Sequence, residues 1–180
     1  MVTVAVVGPA QDKRIFSLLH RALGREGSLL SIGPRGLSSG ANPPDFFLWD
    51  SSRPGSISAP GALVVFKEKA TDFEGMPPPF CGMAVVGSDN PAAIEFLAQA
   101  RQPAITCGLS PRDTITLTSM TDTGAVVAIQ RSILSLDGRA SEPGELPVRL
   151  SAPTDSYAIM CAAAVLAYSG RLHDRAELAL

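Results

Sequence analysis

A strand-like run meets a helix pattern close to the amino terminus, and the residues at this junction could bind a phosphate. The segment VTVAVVGPAQDKR turns at Gly8 and brings Lys13 and Arg14 to the start of the helix pattern. A glycine turn at a helix amino end presents backbone N–H groups and the positive end of the helix dipole to an anion. Gly8, Lys13 and Arg14 are therefore candidate nucleotide- or phosphate-binding residues.

Asp50 follows the apolar run DFFLW, at the expected end of a strand, where its carboxylate could face a bound ligand. The ligand crevice of an open α/β sheet lies at the carboxyl ends of the strands, so we expect this carboxylate near Gly8. It could instead hydrogen-bond the loop that it forms with Ser51 and Ser52. A phosphorylated receiver-domain aspartate is disfavoured, because the linkers around ALVVF are too short or too rich in proline for the helices of that fold.

The pattern GLSSG at Gly36–Gly40 matches the G-x-S-x-G of a serine hydrolase elbow. That chemistry needs a strand before the serine, a helix after it and a histidine nearby. The segment ANPP follows instead, which predicts a loop. His20 lies within the first helix pattern and His173 in a polar tail, and isolated histidines do not make a metal site.

Composition and charge narrow the class of protein. The chain has 180 residues, of which 18% are charged and 46% hydrophobic, and its formal net charge is −2. We expect one domain over 1–180 that attracts no nucleic acid and has no membrane span, because the longest apolar stretch, AIMCAAAVLAY, is too short. No signal peptide pattern opens the sequence. Cys81, Cys107 and Cys161 are expected as buried apolar residues in the reducing cytoplasm.

Periodicity predicts an α/β part over 1–108. Val2–Val7 is a continuous β-rich run, and SLLSIG, DFFLW, ALVVF, GMAVVG and PAITCG are further predicted strands. One helix has an apolar stripe, formed by Ile15, Leu18, Leu19, Ala22 and Leu23. A second helix begins at Pro91, with Asp89 or Asn90 as its cap. The predicted fold class is α/β, a mostly parallel sheet with helices on its faces.

The character of the sequence changes after this part. DTITLTSM, AVVAIQRSILSL and ELPVRL are rich in β-branched residues and are separated by turn signals, which predicts a small antiparallel β extension over 109–152. A closing helix over 153–170 carries many alanines, so nearly all of it should be buried. The tail 171–180 and the loop that contains Pro43, Pro44, Pro54 and Pro60 are candidate contact segments.

This order of elements resembles the central, ATP-binding domain of the Mur ligases and of the folylpolyglutamate synthases. The resemblance is carried by VVGSDNPAAIEFLAQARQPAITCGLSPRDTITLTSM and by TDSYAIMCAAAVLAYSG. The second segment is similar to the family's closing helix, which opens His-Asn-x-Tyr-Asn before an alanine-rich run. Tyr157 and the alanines match it, whereas Thr154, Asp155 and Ala158 stand at the His and the two Asn positions.

VAVVGPAQDKR resembles the phosphate loop of that family, Gly-Thr-x-Gly-Lys-Thr, which implies ATP and magnesium as cofactors. Gly8 matches the first glycine, but Gln11, Asp12 and Lys13 replace the second glycine, the lysine and the threonine. A one-residue slip gives Lys13 the role of the lysine and leaves Arg14 without the hydroxyl. The resemblance therefore implies a degenerate loop.

Three functions stay open. The first is a stand-alone, non-catalytic module that acts through a cell-wall- or ligase-related protein or as a homo-oligomer. The second is a small-molecule binder that uses the first helix amino end, with Lys13 and Arg14, for a nucleotide or another phosphate. The third is a residual enzyme with altered chemistry. Substitution at every catalytic position that the resemblance tests favours the first, although Asp50 could replace the family's magnesium-binding glutamate.

Overall fold

The computed structural model describes residues 1–33, 36–40, 42–52, 58–73, 75–77, 80–173 and 175–180, with the side chains of 58, 60 and 80 left out. Its helices are α1 Arg14–Glu26, α2 Pro91–Gln99 and α3 Ser156–Tyr168. Its strands are β1 Val2–Val7, β2 Leu29–Gly33, β3 Gly36–Ser39, β4 Phe46–Ser51, β5 Ser58–Phe66, β6 Phe80–Gly87, β7 Ala104–Gly108, β8 Ile115–Met120, β9 Gly124–Ile129, β10 Ile133–Leu134, β11 Ala140–Ser141, β12 Gly144–Arg149 and β13 Leu178–Ala179.

Eleven of the described strands form one sheet in the order β13-β12-β9-β8-β7-β6-β5-β1-β4-β2-β3. All neighbours between β2 and β8 in this order run parallel. β9 and β12 continue the sheet in antiparallel pairing, and β3 ends it antiparallel to β2. β10 and β11 form a separate small ladder. The predicted fold class, a mostly parallel sheet with an antiparallel extension, is confirmed.

The side chains of β1 alternate between two apolar cores, one on each face of the sheet. Val4 and Val6 face the core that contains the apolar stripe of α1 and all of the buried residues of α3. Ala5 and Val7 face the other core, which contains the buried residues of α2. Helices therefore cover both faces, and the stripe of α1 is buried at each of its five predicted positions.

Helix α3 is buried along its length, as the sequence predicts. Every residue from Tyr157 to Tyr168 is buried, and five of the thirteen residues are alanine, which lets α1 and the sheet approach closely. Asp155 caps its amino end by accepting a hydrogen bond from Ala158 N–H at 3.0 Å. None of the described helices is long and apolar enough to cross a membrane.

The loop predicted at GLSSG is wrong. Gly36–Ser39 forms β3, which pairs in antiparallel register with β2 and places Leu37 opposite Ile32. The turn-like composition is overridden because the backbone of this segment finds hydrogen-bond partners on β2. Of the candidate contact loop, Pro54 lies outside the described residues.

The carboxyl-terminal tail is part of the sheet. β13 pairs in parallel with β12, and the side chains of Leu178 and Leu180 are buried in the same core as α3. Leu172 is buried there too, so the half-apolar pattern of 171–180 reflects packing on the sheet. The cysteines are likewise packing residues: all three are buried, and burial raises the pKa of the Cys81 thiol to about 11.

Candidate functional site at the carboxyl ends of the parallel strands

A buried ion pair occupies the sheet edge beside Gly8. Because β4, β1 and β5 are neighbours, Asp50 near the end of β4 and Lys67 directly after β5 meet across the end of β1. The Lys67 ammonium lies 2.6 Å from Asp50 Oδ1, and the two side chains are 0% and 5% exposed. The ammonium also donates a hydrogen bond to Pro9 O at 3.1 Å. Asp50, the candidate metal ligand, thus has a cation of the same chain as its partner.

Gly8 packs directly against the Lys67 side chain. Its φ is +141°, a backbone conformation that residues with a side chain rarely adopt. A Cβ at this position would lie 2.8 Å from Lys67 Cβ and 3.1 Å from Ala70 Cβ. The Gly8 N–H donates to Ser51 O at 3.0 Å. Close packing requires the glycine here, and its N–H group already has a partner.

Arg14 joins three carboxylates at the start of α1. Its guanidinium lies 2.9 Å from Asp12, 3.0 Å from Glu68 and 2.7 Å from Asp155. These residues belong to the loop before α1, the loop after β5 and the cap of α3, so one side chain ties three segments together. The hydrogen bond from Arg14 lowers the pKa of the Asp12 carboxyl, and the carboxylates of Asp12 and Glu68 raise the pKa of Arg14.

Lys13 faces a different part of the molecule. It lines a cleft of about 520 Å³ between α1 and the β2–β3 hairpin, which we call the α1–β3 cleft. The residues that define this cleft include Lys13, Phe16, His20 and Arg21 on the α1 side and Ser38 on β3. The four predicted site residues therefore do not converge on one ligand position, since Gly8 and Asp50 adjoin Lys67, Arg14 is bound by carboxylates, and Lys13 is in the α1–β3 cleft.

A second, smaller cleft opens beside Gly8, at the ends of β1 and β4. It has a volume of about 300 Å³, and we call it the Gly8–Phe73 cleft. Its polar lining comes from Gln11, Ser52, Lys69 and Asp72. Phe73 forms its apolar side and stacks on Phe96 of α2, with ring centroids 4.6 Å apart. In this cleft Gly8 borders open space together with polar side chains.

Sequence reasoning did not single out Lys67 as a site residue. The loop that carries it is fixed by buried Asn90, which caps α2 and donates hydrogen bonds to Glu68 O at 3.2 Å and Ala70 O at 2.9 Å. The sequence predicts a cap at Asp89 or Asn90, and the structure places it at Asn90, whose second role has no sequence signal. A signal for Lys67 exists in the sequence: a lysine directly after a buried apolar strand needs a carboxylate partner, and Asp50 ends a neighbouring strand.

Tyr157, the residue that matches the tyrosine of the Mur ligase closing helix, connects α3 to the same edge. Its hydroxyl donates a hydrogen bond to Phe66 O at 2.7 Å, at the end of β5. Burial raises the pKa of Tyr157 above its ordinary value, so the phenol is neutral. The side chain fixes α3 against the strand that precedes Lys67.

The described residues contain no serine hydrolase site. Ser38 lies within β3, whereas the chemistry requires a strand-to-helix turn. A separate cluster places Ser135 Oγ 3.5 Å and Asp137 Oδ1 3.9 Å from the same ring atom, Nε2 of His173. A catalytic triad needs the serine and the carboxylate at opposite ring nitrogens. Ser135 Oγ instead hydrogen-bonds Asp137 and the Arg139 carbonyl within a turn.

Solved structures with a similar fold include ligases of the Mur type. MurF from Acinetobacter baumannii superposes with a TM-score of 0.57 at 14% identity, covering 96% of this chain and 42% of that one. MurF ligase from Thermotoga maritima, in complex with ADP, superposes with a TM-score of 0.54 at 12% sequence identity. The match covers 98% of this chain and 47% of the ligase. A UDP-N-acetylmuramoyl-L-alanyl-D-glutamate–2,6-diaminopimelate ligase superposes with a TM-score of 0.54 at 10% sequence identity. The match covers 98% of this chain and 44% of the ligase. The chain has a Mur-ligase-like fold.

The Mur-ligase-like fold extends over almost the whole chain, but the chain spans less than half the length of each of these ligases. No protein-family model and no curated protein sequence matches it. At 10–14% identity the likeness concerns the fold, so any activity must be argued from the residues at the site.

The residues of this Mur-ligase-like fold do not fit a magnesium triphosphate at the first strand–helix junction. A phosphate loop offers free backbone N–H groups, an unpaired lysine and a hydroxyl. Here the Gly8 N–H is bound to Ser51, and a carboxylate, Asp12, lies within the loop. Of the nearby cations, Lys67 and Arg14 are paired with carboxylates, whereas Lys13 and Lys69 line two separate clefts.

Replacing Arg14 with methionine should lower the free energy of unfolding by about 1–2 kcal/mol at neutral pH, measured by urea denaturation. The loss is modest because Arg14 is partly exposed, but three carboxylates then lose their shared cation. Asp12 contributes stability above its usual pKa of 3.8, and this contribution is lost as pH falls through its lowered pKa. The difference in the free energy of unfolding between Arg14→Met and the wild type should therefore become smaller at acid pH.

The matched control is Arg112→Met, because the Arg112 side chain is exposed and makes no ion pair with the described residues. We expect this variant to unfold within about 0.5 kcal/mol of wild type at every pH. An Arg14→Met variant whose deficit stayed constant down to acid pH would show that the guanidinium acts through packing and not through the carboxylates.

Proposed function

We propose that this chain is a non-catalytic Mur-ligase-like domain, folded as one unit over 1–180, that acts by binding another protein. The proposal rests on the pairing of charged side chains at the carboxyl ends of the parallel strands. Two cations, Lys67 and Arg14, lie where a ligand phosphate would need positive charge. Their partners are four carboxylates of the same chain: Asp12, Asp50, Glu68 and Asp155.

This cluster of six groups carries a formal net charge of −2 and would repel a polyphosphate. Lys67 cannot turn to a ligand without leaving the buried charge of Asp50 unpaired, which is strongly unfavourable. The fold is kept, but Lys67 and Arg14 are paired with carboxylates of the same chain and are not available to a phosphate. This pairing favours a role in binding a protein over a role in phosphoryl transfer.

A nucleotide panel tests this proposal. At about 1 mM ATP, ADP, GTP or UTP, with and without magnesium, we expect the melting temperature to rise by less than about 1 °C. Any real binding would raise it in a concentration-dependent way, because a ligand that binds only the folded state stabilises it by mass action. A magnesium-dependent rise with ATP that Arg14→Met abolishes would overturn the proposal.

A small-molecule binder is the second candidate function, and the Gly8–Phe73 cleft favours it. The cleft is at the sheet edge where α/β folds bind ligands, and it combines an aromatic side with polar groups of both charge signs, Lys69 and Asp72. At about 300 Å³ it suits a ligand smaller than a nucleoside triphosphate. A metabolite panel with Lys69→Ala as the variant tests it by the same melting measurement.

The compartment that fits this function is the cytoplasm. Cys81, Cys107 and Cys161 are all free thiols, and Cys107 and Cys161 lie close enough to raise the pKa of Cys107 through their hydrogen bond. Neighbouring thiols that stay unpaired suit a reducing environment.

A further inference from the structure

The end of the sheet at β3 is an open edge. Gly36–Ser39 is exposed at all four residues and pairs with β2 on one side, with no described strand on the other. Gly40 N–H donates to Leu29 O at 3.2 Å, and hydrogen-bonded and non-hydrogen-bonded pairs alternate along an antiparallel ladder. The N–H and C=O groups of Leu37 and Ser39 therefore point away from β2, toward the open edge.

The face of this edge that adjoins α1 is basic. Lys13, the residue directly before α1, and Arg21, about two helical turns further on, are exposed, and neither forms an ion pair with the described residues. Phe16 forms the floor between them and lies over Gly33, where a Cβ would be 2.4 Å from the ring. No acidic side chain is among the described residues that line the α1–β3 cleft.

The opposite face of the same edge is apolar. The register places Leu37 opposite Ile32 and Ile32 beside Trp49, so these three side chains share the sheet face that α1 does not cover. Leu37 is 70% exposed and Ile32 is 41% exposed. Large apolar side chains exposed next to each other mark a surface that another chain can cover.

We propose that β3 receives an extended segment of another protein in which acidic and apolar residues alternate. Side chains of an added strand point alternately to the two faces of the sheet. On one face, acidic side chains would meet Lys13 and Arg21 in the α1–β3 cleft. On the other face, apolar side chains would cover Leu37 and Ile32. This inference rests on the proposed function and names the chemistry of the partner.

Two other partners could occupy this edge, a second copy of the chain or a nucleic acid, and the side chains beside the edge disfavour both. Two copies of the chain paired through β3 would bring Lys13 and Arg21 of one copy close to the same cations of the other, which is repulsive. A nucleic acid would suit the basic face but would leave Leu37 and Ile32 uncovered. An acidic and apolar strand satisfies both faces at once.

The test uses the full chain and a fluorescein-labelled peptide of about eight residues in which Glu and Val alternate. Fluorescence anisotropy should report saturable binding by this peptide. A peptide of the same composition with the Glu and Val residues in two blocks should bind about tenfold more weakly, because it cannot match the two faces in register. No nucleotide is present, so failure here leaves the nucleotide result of the previous proposal unaffected.

Backbone pairing is tested with a matched pair of variants. Ser39→Pro removes the outward N–H of β3 without removing a bond to β2, and should weaken peptide binding about tenfold. Ser39→Ala keeps that N–H and should bind like wild type. Equal binding by the two variants would overturn the strand-addition geometry, provided that both melt like the wild-type chain.

Charge complementarity is tested with a double variant, Lys13→Glu with Arg21→Glu, which should weaken binding about tenfold at low salt. Its control is Lys69→Glu with Arg112→Glu, which changes the net charge equally but lies outside the α1–β3 cleft. Equal loss in both would mean that the peptide responds to net charge alone, which contradicts the proposal. A concentration-dependent dimer that Ser39→Pro dissolves would also overturn it, because the occupant would then be a second copy.

Discussion

Replacing Lys67 with methionine should lower the free energy of unfolding by about 3–5 kcal/mol. The Lys67 ammonium is the cation paired with Asp50 at 2.6 Å, and both side chains are almost fully buried. Methionine keeps the apolar stem but leaves the Asp50 carboxylate without a counter-charge in a poorly solvated position. Urea denaturation at neutral pH measures the loss.

Two further variants separate the charge effect from packing. Asp50→Asn combined with Lys67→Met removes both charges and should recover at least half of the lost stability, since isosteric removal of a buried pair is often nearly neutral. Lys69→Met changes an exposed lysine of the same loop and should cost less than about 0.5 kcal/mol. If Lys67→Met were as mild as Lys69→Met, the ion pair would not be a structural element, and Lys67 would be free to serve a ligand.

Introducing a side chain at Gly8 is the second change with a large expected effect. Gly8→Ala should lower the free energy of unfolding by about 2–4 kcal/mol. The added Cβ would lie 2.8 Å from Lys67 Cβ, and the φ of +141° is strained for alanine. Chemical denaturation in the absence of any ligand measures this loss in the free energy of unfolding.

Gly24→Ala is the matched control for this glycine. Gly24 lies within α1, and a Cβ there would meet nothing within 4 Å. Alanine is the better helix former, so this variant should gain about 0.5–1 kcal/mol. A Gly8→Ala variant as stable as wild type would mean that the edge can rearrange, and the glycine would then be more readily explained by a ligand.

The sequence predicts where several residues of the carboxyl edge lie in the fold, but not which residues they contact. The turn at Gly8, the strand that ends near Asp50 and the cap of α2 at Asn90 follow from local patterns, and the structure places all three at one edge of the sheet. The partners of these residues do not follow from local patterns. Lys67 meets Asp50 because β1 lies between β4 and β5, a strand order that no local signal specifies.

Lys13 and Arg14 also show that local sequence patterns do not specify the contacts of a side chain. They are adjacent in the sequence, and both were assigned to one phosphate site. Successive residues of a helix point about a quarter turn apart, so Arg14 reaches the carboxylates at the strand ends while Lys13 borders the α1–β3 cleft. Which side of α1 faces which neighbour is decided by the packing of the helix on the sheet.

The amino-acid sequence by itself determined the fold class, the buried faces of α1 and α3, and the change from parallel to antiparallel strands, because these depend on the period of apolar residues along the chain. Only the tertiary structure decided that GLSSG contains an edge strand, that the tail pairs with β12 at the other end of the sheet, and that Lys67 and Arg14 are neutralised by carboxylates of the same chain. Those outcomes depend on residues far apart in the chain, whose contacts and charges are set by strand order and not by local pattern.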